Sequence, residues 1–242
     1  GGGFLSALST QVIGNSDFYN GAFPAEYSNA LSGVFDMHLR NGNNQKYEHA
    51  FQVGLMGIDL ASEGPINKKR GSSYLINYRF STTSLASGND INLKYQDVAF
   101  KLNFPTRKAG TFSIWGLGLT DRNKVDALER SEWETMGDRS SGSNKLDKLA
   151  GGLAHKYIID ENTYIRSSLS ATYSKDRSMV DLHTDNEIVQ AADIQNSRWN
   201  FVFNSYLNKK FSSRHTNRTG ITITELKYDL DYKVRSEEHT SE

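Results

Sequence analysis

An all-β protein built from antiparallel strands is what this sequence predicts, and three observations carry the expectation. Apolar and polar residues alternate with period two through five separate stretches of about ten residues. Turn-forming residues separate those stretches. No run approaches the roughly 20 apolar residues that a membrane-spanning helix needs.

The stretches follow one another along the chain. In residues 74–80, Tyr74, Ile76, Tyr78 and Phe80 oppose Asn77 and Arg79; in residues 97–104, Val98, Phe100, Leu102 and Phe104 oppose Asp97, Lys101 and Asn103. In residues 163–173, Ile165, Leu169, Ala171 and Tyr173 oppose Arg166, Ser168, Ser170 and Thr172. Residues 199–208 give the clearest case, with Trp199, Phe201, Phe203 and Leu207 on one side and Asn200, Asn204 and Asn208 on the other. In residues 222–232, Leu226, Tyr228, Leu230 and Tyr232 oppose Glu225, Lys227, Asp229 and Asp231. Successive side chains of a strand point to opposite faces, so each stretch has one apolar and one polar side.

Two further stretches are less regular. Residues 111–120 carry Trp115, Leu117 and Leu119 on one face but are diluted by Gly116 and Gly118, and residues 149–157 mix small residues with His155 and Lys156. Between residues 47 and 61 the apolar phase flips, from Phe51, Val53 and Leu55 to Met56, Ile58 and Leu60. A one-residue slip exchanges faces, so the flip demands a bulge or a tight reversal near Gly54 and Gly57. The expected total is about eight strands.

Alternation alone does not say which face is inside. A soluble sandwich buries its apolar face, whereas an outer-membrane barrel turns it to lipid. Strands of about ten residues match the tilted span of a hydrocarbon layer, and ordinary globular strands have a mode near 5 to 6. The connections also alternate. Residues 105–110, 159–162 and 209–218 are short or turn-rich, and residues 81–93, 121–147 and 176–197 are longer and polar. Short turns on one side and long loops on the other are the habit of transmembrane barrels. The expected fold is therefore an antiparallel transmembrane β-barrel fragment of about eight strands, open at its edges. Tyr74, Phe80, Phe104, Tyr157, Tyr173, Trp199 and Tyr232 would form its interfacial girdles. A complete small outer-membrane barrel with a structural or adhesive role and a soluble β-sandwich binding module are the alternatives.

Composition narrows function further. Charged residues make up 23% and aromatic residues 11% of the chain, with mean hydropathy −0.60, so it is polar without the aromatic depletion of disorder. The formal net charge is +0, which removes the electrostatic case for nucleic acid. There is no cysteine, hence no disulfide framework and no thiolate site.

The leading segment, residues 4–40, is denser in small residues than the rest of the chain. Its run Gly21-Ala-Phe-Pro-Ala-Glu-Tyr27, then Ser28-Asn-Ala-Leu-Ser-Gly33, then the extended stretch 34–40, resembles the end of the plug domain of TonB-dependent outer-membrane receptors of the Bacteroidota type. Ser28 stands where that pattern has glycine. Ala61-Ser-Glu-Gly-Pro-Ile66 and Asn77-Tyr-Arg-Phe-Ser81 resemble the same subgroup. The resemblance implies the C-terminal part of a plug in residues 1–44 and the N-terminal part of a barrel in residues 45–234. It implies active nutrient uptake across the bacterial outer membrane, no covalent chemistry, and three partners: outer-membrane lipid, a nutrient ligand, and the TonB complex acting on a box not contained in this chain. It places Tyr19, Asn20 and Phe23 in a ligand-facing plug loop. A polar-lined barrel of about 22 strands needs such a filling, and Arg79, Lys101, Arg166, Glu225, Lys227 and Asp229 are expected to face it. Gly1-Gly2-Gly3 at the start suggests a sequence beginning inside a longer protein. Residues 235–242 look like a non-native tail translated from a sequencing adapter.

No catalytic or cofactor-binding constellation emerges. His38, His49, His155, His183 and His215 are scattered, and Asp181, His183 and Asp185 share one face of a segment best read as a solvated loop. No Gly-x-Ser-x-Gly elbow is present, and Gly1-Gly2-Gly3 lacks the lysine of a phosphate loop. The basic runs Lys68-Lys-Arg70, Arg107-Lys108 and Lys209-Lys210 read as solvated turns. Catalytic residues, metal ligands and cofactors are all expected to be none.

Overall fold

The structure, a computed structural model, describes residues 9–20, 27, 33–54, 57–82, 91–185 and 187–234. The alternating stretches form one nine-stranded antiparallel sheet: β3 (Glu48–Gly54), β4 (Gly57–Asn67), β5 (Ser72–Thr82), β6 (Ile91–Pro105), β7 (Thr111–Val125), β8 (Ser140–Asp160), β9 (Thr163–His183), β10 (Ile188–Lys210) and β11 (Thr216–Val234). Each strand pairs with its neighbours in sequence, an up-and-down meander whose edges are β3 and β11. Ahead of it lies a two-stranded hairpin, β1 (Ile13–Tyr19) and β2 (Val34–Leu39).

The ninth strand comes from the phase flip near residues 47–61. It is a tight reversal rather than a bulge, with Gly54 opposite Gly57 at the end of the β3–β4 ladder. Gly57 has φ 143°, and a Cβ there would lie 2.0 Å from the Phe80 carbonyl oxygen, so only glycine fits.

Short turns close one end of the sheet. At residues 67–71, Arg70 and Gly71 donate to the carbonyls of Asn67 and Lys68, with Gly71 at φ 71°. Thr106 donates to the Gly110 carbonyl at 2.9 Å, and Phe211 to that of His215 at 2.8 Å. At the other end the strands run further than hydrophobic periodicity indicates. The long polar connection expected at residues 176–197 is mostly strand, turned by Thr184 donating to the Glu187 carbonyl. Beyond the apolar band both faces are polar, so the period-two signal fades while the backbone ladder continues.

The cross-strand registers define two faces. On one, the rows Tyr78–Val98–Gly118–Leu149–Tyr173–Trp199 and Tyr74–Leu102–Ile114–Leu153–Leu169–Phe203 run across six strands. This band extends on β9 from Ile165 to Tyr173, or about 26 Å along the strand at roughly 3.3 Å per residue. No second layer covers it among the described residues: Phe201 is 37% exposed and Phe203 40%. A soluble sandwich would have buried both. Gly116 and Gly118 belong to this face and make room for their neighbours, since a Cβ on Gly116 would lie 2.5 Å from the Phe100 ring.

Two placements differ from the sequence expectation. Trp115, Leu117 and Leu119 lie on the opposite, polar face, across from Lys101, Ala99 and Asp97. On β11 the phase is reversed: Glu225 and Lys227 sit opposite Phe201 and Trp199, and Leu226 and Tyr228 opposite Asn200 and Arg198. Glu225, Lys227 and Asp229 therefore do not line the polar face, and Tyr232, opposite Ile194, is not in the aromatic row. The reason is that β10 and β11 pair without a bulge from Lys210↔Thr216 to Ala192↔Val234, while the apolar phase of β11 changes between Ile223 and Leu226.

Candidate functional site: the polar face and the docked hairpin

The buried core sits where the leading segment meets the polar face. Val12, Leu75 and Ala99 are each 1% exposed, with Ile13, Leu39 and Leu117 packed against them. Leu75, Ala99 and Leu117 are apolar positions on the mostly polar face, and the leading segment packs against them. Reading each strand by its majority pattern passes over Leu75 and Ala99.

Polar contacts frame this core. The Arg40 guanidinium donates to both oxygens of Glu63 at 2.7 Å and to the Gln11 carbonyl at 2.6 Å. The bond to Glu63 raises the pKa of Arg40, keeping the guanidinium charged. The Asn43 amide donates to the same carboxylate at 2.7 Å. Ser9 Oγ donates to Asp59 at 2.8 Å, whose other oxygen accepts from Asn77. Lys101, expected on the inner face, donates to the Leu39 carbonyl at 2.6 Å. Arg79, expected there too, instead pairs within the sheet with Asp97 at 2.8 Å. Buried charges persist only when paired in this way. Arg166 lies on the same face, beside Lys101, Asn103 and Asn41 in a polar cleft of about 300 Å³.

The far end of the hairpin carries the residues expected to meet ligand. Tyr19 closes β1 opposite Val34, half-buried, and its ring lies 5.7 Å from that of Tyr27. The Tyr27 hydroxyl donates to Asp36 at 2.8 Å, and His38 stands 3.3 Å from the same carboxylate. Asn20 is exposed. Phe23 lies outside the described residues. Phe18 and Phe35, 6.4 Å apart and exposed, add an aromatic pair that the sequence reading did not single out. Their signal was the alternation Phe18–Asp17 against Phe35–Asp36.

The triad of possible ligands Asp181, His183 and Asp185 is dispersed into other contacts. His183 Nε2 bonds Ser141 Oγ at 2.9 Å, and Asp185 pairs with Arg130. No group of three metal-ligating side chains occurs among the described residues.

A one-layer antiparallel meander, apolar and uncovered on one face and polar with a docked leading hairpin on the other, has the architecture of an open stretch of β-barrel wall. Comparison with solved structures agrees on the fold. The crystal structure of the siderophore receptor PiuA from Acinetobacter baumannii superposes with a TM-score of 0.60 at 13% identity, over 82% of this chain and 33% of that one. The chain thus spans about a third of the length of that receptor. No family model matches the chain, and no curated protein matches it either.

Proposed function

We propose that this chain is part of a TonB-dependent outer-membrane receptor of the Bacteroidota type, residues 1–44 ending its plug and residues 45–234 beginning its barrel. The observation that carries the reading is the division of labour between the faces. The uncovered band of Trp199, Phe201 and Phe203 suits contact with acyl chains, and the hairpin is held on the polar side by Arg40, Lys101 and Ser9. The likeness to a siderophore receptor supports uptake as the task. In this reading the nutrient ligand meets the hairpin end near Tyr19, Asn20 and Phe23. The TonB complex supplies energy through a segment of the receptor outside this chain.

The test is uptake by cells expressing the intact receptor, with and without a functional TonB complex. Ligand binding to cells should persist without the complex while accumulation stops. Accumulation that is indifferent to the complex would overturn the proposal.

A further inference from the structure

The polar cleft beside the docked leading segment gathers positive charge without a matching carboxylate among the described residues. Lys156 on β8 and Arg166 on β9 stand directly opposite each other on the polar face, about 4.8 Å apart across the ladder. Lys101 on β6 completes the group, and all three line one cleft of about 300 Å³ together with Asn41, Asn103 and Ser113. Between the cations the floor is low, because Ser113 and Ala154, a register pair, are both short. Asn41 follows Arg40 in the leading segment, so the cleft lies between that segment and the wall.

Each cation meets a neutral group. Lys101 donates to the Leu39 carbonyl at 2.6 Å, the Lys156 ammonium lies 4.6 Å from the centroid of the Tyr164 ring, and Arg166 stands opposite Tyr206. None of the three forms an ion pair among the described residues. The carboxylates of this part of the fold are engaged elsewhere: Glu63 with Arg40 and the Asn43 amide, Asp97 with Arg79, and Asp160 with the Asn162 amide at 2.8 Å.

Like charges directly opposite one another destabilise a ladder, and the Lys156–Arg166 pair adds a third cation in Lys101. An anion in the cleft relieves that repulsion and accepts charge-assisted hydrogen bonds, the stronger kind. An ammonium has three donors, so Lys101 keeps donors for it beside its bond to Leu39. Three cations exceed what a single monocarboxylate neutralises, which favours a dianion.

We propose that Lys101, Lys156 and Arg166, with the Asn41 side chain, bind a small multiply charged oxyanion of the phosphate type, which ties the leading segment to the wall. The site lies on the face opposite the apolar band, so it stands whatever covers that band.

The intact protein, in neutral detergent and phosphate-free buffer, is titrated by calorimetry with inorganic phosphate and, separately, with acetate. Phosphate should bind at least about tenfold tighter than acetate. The double variant Lys156→Gln, Arg166→Gln leaves the Lys101 anchor in place and should weaken phosphate binding by at least about tenfold. Bound phosphate should also slow hydrogen exchange of the Arg40 amide, which donates to the Val12 carbonyl, because the adjacent Asn41 is then held to the wall. Absence of phosphate binding by the unmodified protein overturns the site, including the case in which an acidic side chain from elsewhere in the intact protein fills the cleft. Equal affinity for phosphate and acetate overturns it as well, even if the variant fails to fold. Full affinity in a double variant with an unchanged far-ultraviolet spectrum places the phosphate elsewhere and overturns the assignment. Phosphate that binds without slowing the Arg40 amide overturns the tie to the leading segment. None of these readouts involves uptake, so the proposed receptor function stands or falls separately.

Discussion

Replacing Arg40 by alanine removes two charge-assisted hydrogen bonds to Glu63 and one to the Gln11 carbonyl, and strands a carboxylate whose side chain is only 12% exposed. Charge-assisted bonds contribute about 1.5 to 3 kcal/mol each, and breaking a buried pair from one side costs about 3 to 5 kcal/mol. The Arg40 side chain is itself 32% exposed and Glu63 keeps the Asn43 amide, so the low end applies, about 3 kcal/mol. That loss falls on docking of the leading segment rather than on the sheet, whose ladders do not involve Arg40. The assay is hydrogen exchange of the Arg40 amide, or of the residue-40 amide in the variant, which donates to the Val12 carbonyl at 3.0 Å. In the intact protein, Arg40→Ala should speed exchange there by about 150-fold, the equivalent of that energy at 1.4 kcal/mol per decade, while amides of β8 and β9 stay unchanged. The double variant Arg40→Ala, Glu63→Ala should be less damaged than Arg40→Ala alone, because no orphan carboxylate remains. A change under threefold in Arg40→Ala, or strict additivity of the two substitutions, would refute the assignment of this pair as the anchor.

Three other outcomes are expected from the same geometry. In single-tryptophan variants refolded into vesicles, brominated acyl chains should quench Trp199, on the uncovered face, and leave Trp115, on the polar face, largely unaffected; equal quenching would reverse the assignment of faces. Gly57→Ala forces a side chain against the Phe80 carbonyl at a φ of 143°, so it should destabilise the β3–β4 pair by at least about 2 kcal/mol and lower the yield of heat-resistant barrel on a gel. In the loop at residues 126–139, Asp138 accepts from the amides of Glu134 and Thr135 and from the Thr135 hydroxyl, which hold its carboxyl below the usual range. Its folded pKa is depressed, so its contribution is present above the ordinary aspartate value of about 3.9 and is lost as pH falls through the lower folded value. Fluorescence of Trp133, whose indole donates to the Leu128 carbonyl in the same loop, should report that loss below about pH 3.9, and Asp138→Asn should show the acid spectrum at neutral pH.

Much of the wall was legible because one face of each strand had to be apolar. On β5, β6, β9 and β10 the expected stripes fall into common rows across the sheet, Tyr78 beside Val98 and Tyr173 beside Trp199. What was not legible lies where that pressure is absent. Beyond the band, residues 176–197 are polar on both sides, and the ladder that pairs them is made by the backbone, which leaves no mark in the sequence. The anchor of the leading segment was hidden for a related reason: Arg40 and Glu63 are 23 residues apart, and neither belongs to a local pattern that names its partner. Lys101 was placed correctly on the polar face, but its acceptor is a main-chain carbonyl, which any residue at position 39 would offer.

The phase of an apolar stripe proves a weaker guide than its existence. Residues 47–61 and residues 221–232 show the same signal, an alternation that jumps by one position, and the chain resolves it differently. At Gly54 and Gly57 a left-handed glycine allows reversal, and the jump becomes a turn between two strands. At Thr224 and Glu225 no glycine stands at the jump, so the ladder to β10 runs through it and the apolar stripe of β11 changes face. The consequence is a local conflict, with Lys227 beside Trp199 on the apolar face; under the proposed membrane reading, a lysine facing lipid costs about 2 to 4 kcal/mol at the midplane and less toward the interface. Lys227 meets it in part by lying over the Phe201 ring, 5.9 Å from its centroid, and by approaching Glu225 to 3.3 Å. Faces can therefore be read from alternation within a strand, but across a phase jump the glycines decide, and they must be read first.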